Sequence, residues 1–209
     1  MKDPFFIPPI PWLSELVRPW CDRFGLPSLP DHVHEVLLSA VFYSVIFWPI
    51  SPLLSRLIAP QHYSKLSRKR RLNWDAHVVS FIQSTLINVI AIWVMVVDQE
   101  RKSMNAEERI WGYTGAAGMV QALAAGYFVW DLCVTSTNLD VFGLGTLAHA
   151  IAALLVYTLG FVRCTLSDGM IRLIRPLLTF SVATSCELLW MRLHSMGAIH
   201  ALPQHSLVL

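Results

Sequence analysis

An all-α, polytopic transmembrane bundle is the fold class this sequence predicts, on three observations. First, 55% of the 209 residues are hydrophobic and 14% are charged, where about a quarter of a soluble domain is charged. Second, charge vanishes from four windows: 20 residues between Glu35 and Arg56, 22 between Asp75 and Asp98, 21 between Arg109 and Asp131, and 22 between Asp140 and Arg163. Third, each window is one membrane crossing long, because an α-helix rises about 1.5 Å per residue and the hydrocarbon core is about 30 Å thick. Mean hydropathy is +0.51.

Residues 1–35 form a proline- and aromatic-rich segment, with Pro4, Pro8, Pro9, Pro11, Pro19, Pro27 and Pro30 among Phe5, Phe6, Trp12 and Trp20. Prolines this close argue against a long helix, and the aromatics suit the headgroup zone, so a short interfacial segment is expected. It does not read as a cleavable signal peptide, since Asp3 and the run Ile7-Pro8-Pro9-Ile10-Pro11-Trp12 replace a basic start and a smooth apolar core.

A transmembrane domain is expected over residues 36–162. Its first span, about 36–57, carries Pro49 and Pro52 and should kink or end early, with freed carbonyls met by neighbouring helices or Ser51. Span two is expected over about 76–97, span three over 110–130 and span four over 141–162. The short connection before span four makes the last two antiparallel neighbours. Residues 163–209 form an atypical C-terminal region with a candidate fifth span, interrupted by Arg175 and Glu187.

Orientation follows from charge. Lys65, Arg68, Lys69, Arg70 and Arg71 crowd one connection, which the positive-inside rule assigns to the cytoplasm. The loop 56–75 is therefore expected to be cytoplasmic and the N-terminus lumenal. That cluster also suits anionic lipid, at about 1 kcal/mol per charge. A net charge of +2 argues against nucleic acid as a partner. The four cysteines show no metal or disulfide spacing, and His194, His200 and His205 lack supporting acids. Neither a metal nor a cofactor is expected, and no nucleophile elbow, HExxH or phosphate loop is present.

Polar residues within spans are the best guide to function, because lipid offers them no partners. In span two, Asn73, His77, Ser80, Ser84 and Asn88 share a face, with Gln83 close by. Span three carries Gly118, Ala122 and Gly126 at four-residue intervals, a stripe that lets another helix approach closely. Gln121 lies beside it, and Tyr127 and Asp131 stand one turn apart near its end. Span four aligns Thr146, His149, Ala153 and Tyr157. One reading is a lipid-binding cavity lined by Asn88, Gln121, Tyr127, Asp131 and His149; the plainer one is interhelical hydrogen bonding, at about 0.5–2 kcal/mol per bond. His149, flanked by alanines inside a span, is the candidate catalytic residue if there is one.

Three motifs carry a resemblance: Asn73-Trp74-Asp75-Ala76-His77-Val78-Val79-Ser80 opening a span, Gly126-Tyr127-Phe128-Val129-Trp130-Asp131-Leu132 closing the next, and Ala148-His149-Ala150 in the helix after. In that order and at those intervals, residues 73–161 resemble the TLC domain family, closest to its uncharacterised fungal members. The resemblance implies a helical membrane domain, usually of the endoplasmic reticulum, linked to lipid synthesis, transport or sensing. The family's ceramide synthases use two adjacent histidines and paired acids. Here position 148 is Ala and no acidic pair follows, which counts against acyl transfer. The region after span four departs from the family, as a truncated or mis-spliced C-terminus would.

These readings combine into an integral membrane protein of lipid homeostasis that binds or senses a lipid or acyl chain between spans two and four. One alternative is a ceramide-synthase-like N-acyltransferase. Another is a non-catalytic assembly partner, a homo- or hetero-oligomer formed through the Gly118/Ala122/Gly126 face.

Overall fold

The computed structural model describes residues 1–105 and 112–161, all within one compact unit, Met1–Thr165. The candidate fifth span and the three C-terminal histidines lie outside the described residues. Among those described, the regular elements are helices, and four are long and apolar enough to cross a membrane.

Helix α1 (Pro11–Arg23) opens with Pro11 in its first turn, where a missing N–H costs nothing. The proline content argued against a long helix here, yet the chain forms 13 residues of one, with Pro19 alone inside. Gly25, at φ 69°, ends it. The Leu26 N–H returns 2.8 Å to the Cys21 carbonyl, a closure that needs a left-handed residue. Leu13, Ser14 and Cys21 face inward, while Trp12, Leu16, Trp20 and Phe24 form an exposed stripe at four-residue spacing.

The first span begins earlier than its charge-free window, at Leu29, because His32 and Glu35 are buried within it. It runs through α2 (Leu29–Val45), a π-helical stretch Ile46–Ile50, and α3 (Ser51–Ile58). The expected irregularity falls at Pro49, which sits inside that wide turn; π-turns are a common way for a helix to absorb such a break. Ser51 does not serve the freed carbonyls. Its hydroxyl donates 2.6 Å to Asp75 instead. A single turn, α4 (Pro60–Tyr63), leads on.

Helix α5 (Arg68–Val97) has 30 residues, about 45 Å of helix, so it outruns the apolar slab. The basic residues Arg68 to Arg71 are thus its first turn rather than a loop. Short α6 (Gln99–Ser103) follows.

The third span, α7 (Gly115–Thr137), lies further along the chain than its expected bounds. It starts at Thr114, whose hydroxyl accepts the Ala117 N–H. Its end comes later because Ser136 and Thr137 bond back to the Cys133 carbonyl and Asn138 to that of Val134, sealing two further turns. Helix α8 (Leu139–Leu159) follows at once and bends at Gly143, whose φ of 78° favours glycine.

Helix α7 is central. Of its apolar window 44% is buried, against 17% in α5 and 11% in α8, so those two turn most of their surface outward. Its small stripe meets α2: a side chain at Gly118 would collide with the His32 ring, and one at Gly126 with the Val36 carbonyl. Gly118 and Gly126 of the stripe thus lie against the chain's own first span. One core cluster joins Tyr43, Ile46, Phe47, Ala76, Val79, Trp130 and Val134; a second joins Val94, Ala116 and Met119.

Candidate functional site

The helices run alternately, so the bundle has two polar ends. At one end lie the start of α5 and the end of α7. Asp75 is buried there and accepts from Ser51 at 2.6 Å and Tyr63 at 2.8 Å. The Trp74 indole donates 2.9 Å to Ser55. Arg71 stacks 5.6 Å over the Tyr63 ring, and Lys69 lies 3.4 Å from Asp140. Burial, with Asp75 alongside, pushes the Tyr63 hydroxyl up to about 12.

The opposite end gathers titratable groups from three places far apart in sequence. The extended segment before α1 brings Asp3, the first turns of α2 bring His32 and Glu35, and the approach to α7 brings Tyr113. His32 Nδ1 lies 2.9 Å from Glu35 Oε2 and 3.2 Å from Asp3 Oδ2. Its Nε2 pairs with the Tyr113 hydroxyl. His32 and Glu35 are fully buried, whereas Asp3 keeps 25% of its side chain exposed. Burial pushes the Asp3 carboxyl up, but hydrogen bonds from His32, Glu35 and the Phe5 N–H outweigh it and hold Asp3 below the usual carboxylate range. The neighbouring His34 Nε2 donates 2.9 Å to the Ile7 carbonyl, tying the same segment down.

Nearby, buried Asp98 meets the Met1 ammonium at 2.9 Å and the Thr114 hydroxyl at 2.8 Å. Burial again pulls the carboxyl up, but these donors prevail and keep Asp98 low. Asp3, His32 and Glu35 each offer one ligand atom, all within 4.8 Å of one another. The arrangement is capable of proton sharing or of holding a cation.

The sequence reading did not select His32 or Glu35. The signal was present as an imidazole and a carboxylate three residues apart, on one helical turn just ahead of an apolar run. Asp3 carried no such signal, because only the fold brings the N-terminal segment to α2.

The residues the sequence did select are spread over three helices. Asn88 is exposed on α5, its amide bonded 2.6 Å back to the Ser84 carbonyl. Gln121, half-buried on α7, donates to the Tyr157 carbonyl of α8. Tyr127 points the other way and pairs at 2.9 Å with Ser80 of α5, its ring edge-on to Tyr43 at 5.4 Å. Asp131 is half-buried within α7 rather than at its end, because the helix continues to Thr137. His149 is half-buried on α8, ten residues in from Leu139. Gln121 therefore binds α7 to α8 and Tyr127 binds it to α5, and Asn88 turns away from both.

Comparison with known proteins follows the same outline. Residues 73–175 match the TLC domain family model, extending the resemblance read from the motifs. An uncharacterised TLC domain-containing protein of Schizosaccharomyces pombe is 47% identical over 150 residues, 71% of this chain and 49% of that protein. Topoisomerase I damage affected protein 4 of Saccharomyces cerevisiae is 28% identical over 130 residues, 61% of this chain and 44% of its own. TLC domain-containing protein 4 of Homo sapiens is 25% identical over 106 residues, 51% and 38% of the two chains. The chain spans about half the length of the relatives it matches, or less. No solved structure matches it. Helical architecture, four apolar spans and the matched domain agree, and the chain belongs to the TLC domain family of membrane proteins.

Proposed function

We propose that this chain acts in lipid homeostasis at the endoplasmic reticulum membrane, binding or sensing a lipid or acyl chain along the α7–α8 pair. The observation that carries the reading is His149, a half-buried imidazole inside an apolar span. Polar groups in a span are costly enough that they mark ligand or ion paths by default. Around it, α8 leaves most of its surface outside the bundle, where an acyl chain can lie against Leu144, Ile151 and Leu155, all exposed. Beside it, Gln121 ties α7 to the Tyr157 carbonyl of α8, and Asp131 adds a half-buried carboxyl on α7. The exposed stripe Trp12, Leu16, Trp20 and Phe24 supports a companion role for α1, lying in the headgroup zone at the lumenal side. Arg68 to Arg71 then face the cytoplasm.

Binding is preferred over N-acyl transfer because Ala148 stands where the ceramide synthases carry the other of two adjacent histidines. The test is whole-cell lipidomics on cells lacking the protein, rescued with the wild-type chain or with His149→Ala at matched protein level. One lipid class should shift on loss, return with wild type, and return only in part with His149→Ala. A lipid profile unchanged by loss overturns the proposal. Rescue by wild type with none at all from a well-expressed His149→Ala replaces binding with catalysis.

A further inference from the structure

We propose that Asp3, His32 and Glu35 form a divalent-cation site of the zinc type, which clasps the N-terminal segment to the first span. This is independent of the lipid reading and concerns the first turns of α2.

Three observations carry it. The first is donor chemistry: two carboxylates and one imidazole are a ligand set that Zn²⁺ accepts, with a fourth position left for water. The second is spacing. Ligand atoms about 2.1 Å from a tetrahedral ion stand about 3.4 Å apart, and His32 Nδ1 already lies 2.9 Å from Glu35 Oε2 and 3.2 Å from Asp3 Oδ2. The third concerns the rest of the carboxylate. Glu35 is 0% exposed, yet its Oε1 has no hydrogen-bond partner among the described residues. His34 Nε2 stands 4.0 Å from it, beyond hydrogen-bond reach; a buried carboxylate oxygen without a donor is costly, and a Glu35 carboxylate that turns both oxygens to the ion removes that cost.

The surroundings suit the ion as well. With Nδ1 turned to the metal, His32 Nε2–H donates to the Tyr113 oxygen, and that outer contact fixes the ring's tautomer and orientation. Two carboxylates and a neutral imidazole carry two negative charges, which a divalent cation cancels inside a low-dielectric bundle. Entry is from the Asp3 side, which is 25% exposed. The ring has no room to swing away, since Gly118 packs directly beneath it.

The consequence is that the ion adds a further tie between residues 1–10 and α2, beside the bond from His34 to the Ile7 carbonyl. The experiment uses the full chain, tagged at its C-terminus and reconstituted in nanodiscs. After dialysis against buffered Zn²⁺, bound metal is counted by mass spectrometry and thermal unfolding is followed with and without metal. Expected are one Zn²⁺ per chain, a raised Tm, and slower proteolysis near Asp3 when metal is present. Mg²⁺ at the same concentration should do none of this. Asp3→Asn and Glu35→Gln should each weaken Zn²⁺ binding about tenfold or more. Asp3 lies in the extended segment outside the spans, so Asp3→Asn tests the site even if Glu35→Gln fails to fold. Wild-type chain that holds no Zn²⁺ overturns the proposal. So does zinc retained with unchanged affinity in folded Asp3→Asn, which would place the metal elsewhere.

Discussion

The two ends of the bundle each bury a carboxylate inside the first turns of a span, and they treat it differently. Asp75 has both oxygens met, one by Ser51 and one by Tyr63, with arginine and lysine side chains spread over the surface outside. Glu35 has one oxygen on His32 and the other without a donor among the described residues. Asp75 also draws its partners from nearby chain, 24 and 12 residues away, whereas the Glu35 cluster needs Asp3 and Tyr113 brought from afar. The first end is a closed network that ties α3, α4 and α5 into a corner. The second has coordination to spare. A satisfied carboxylate is architecture; an unsatisfied one with an imidazole and a second acid beside it is a place for a ligand.

The comparison breaks most severely at Gly118. Leucine there drives into the His32 ring and the Tyr113 edge, and overpacking of this kind costs about 3 kcal/mol or more. Gly118→Leu should yield little monodisperse protein in detergent by size-exclusion chromatography; normal yield and Tm would mean that α2 and α7 are not in contact there. A smaller loss is expected from Asp75→Ala, which strands the Ser51 and Tyr63 hydroxyls and costs about 2 kcal/mol. Its Tm should fall while metal content stays that of wild type, separating the two ends in one sample.

The smallest effect is a pH dependence. Tyr63 holds its proton more tightly folded than unfolded, so its contribution is complete below about pH 10 and is lost as pH rises toward about 12. Thermal melts across that window should show wild type losing stability faster than Tyr63→Phe. Parallel slopes would mean that the hydroxyl is not buried against Asp75.

Much of the architecture was legible in the primary structure for a simple reason: the charge-free windows are set by bilayer thickness, a property of the solvent. Span boundaries were less so. Charge misplaced the start of the first span because His32 and Glu35 are charged or polar residues taken inside, and it misplaced the end of the third because Ser136, Thr137 and Asn138 bond back to their own helix. Gly118, Ala122 and Gly126 announced close packing, but a stripe of small residues does not say which helix will lie on it. Asn88 shared a helical face with Ser80, yet only Ser80 found a neighbour, in Tyr127. Periodicity reports which side chains align on one helix; what lies opposite depends on contacts between distant segments.

The wide turn at Pro49 bears on how this span tolerates change. Glu35, Ser39, Tyr43, Phe47, Ser51 and Ser55 are all buried, every fourth residue without a break. In an unbroken α-helix that rhythm would slip about 40° per step, carrying Ser51 and Ser55 round toward lipid. The π-helical stretch holds one residue more than an α-turn, and returns the line by about 100°. That extra residue is slack in the phase of the helix. Deleting Pro49 would remove the slack and its cause together and leave Ser51 opposite Asp75, whereas adding one residue between Ile46 and Ile50 would turn the corner of the bundle out of register.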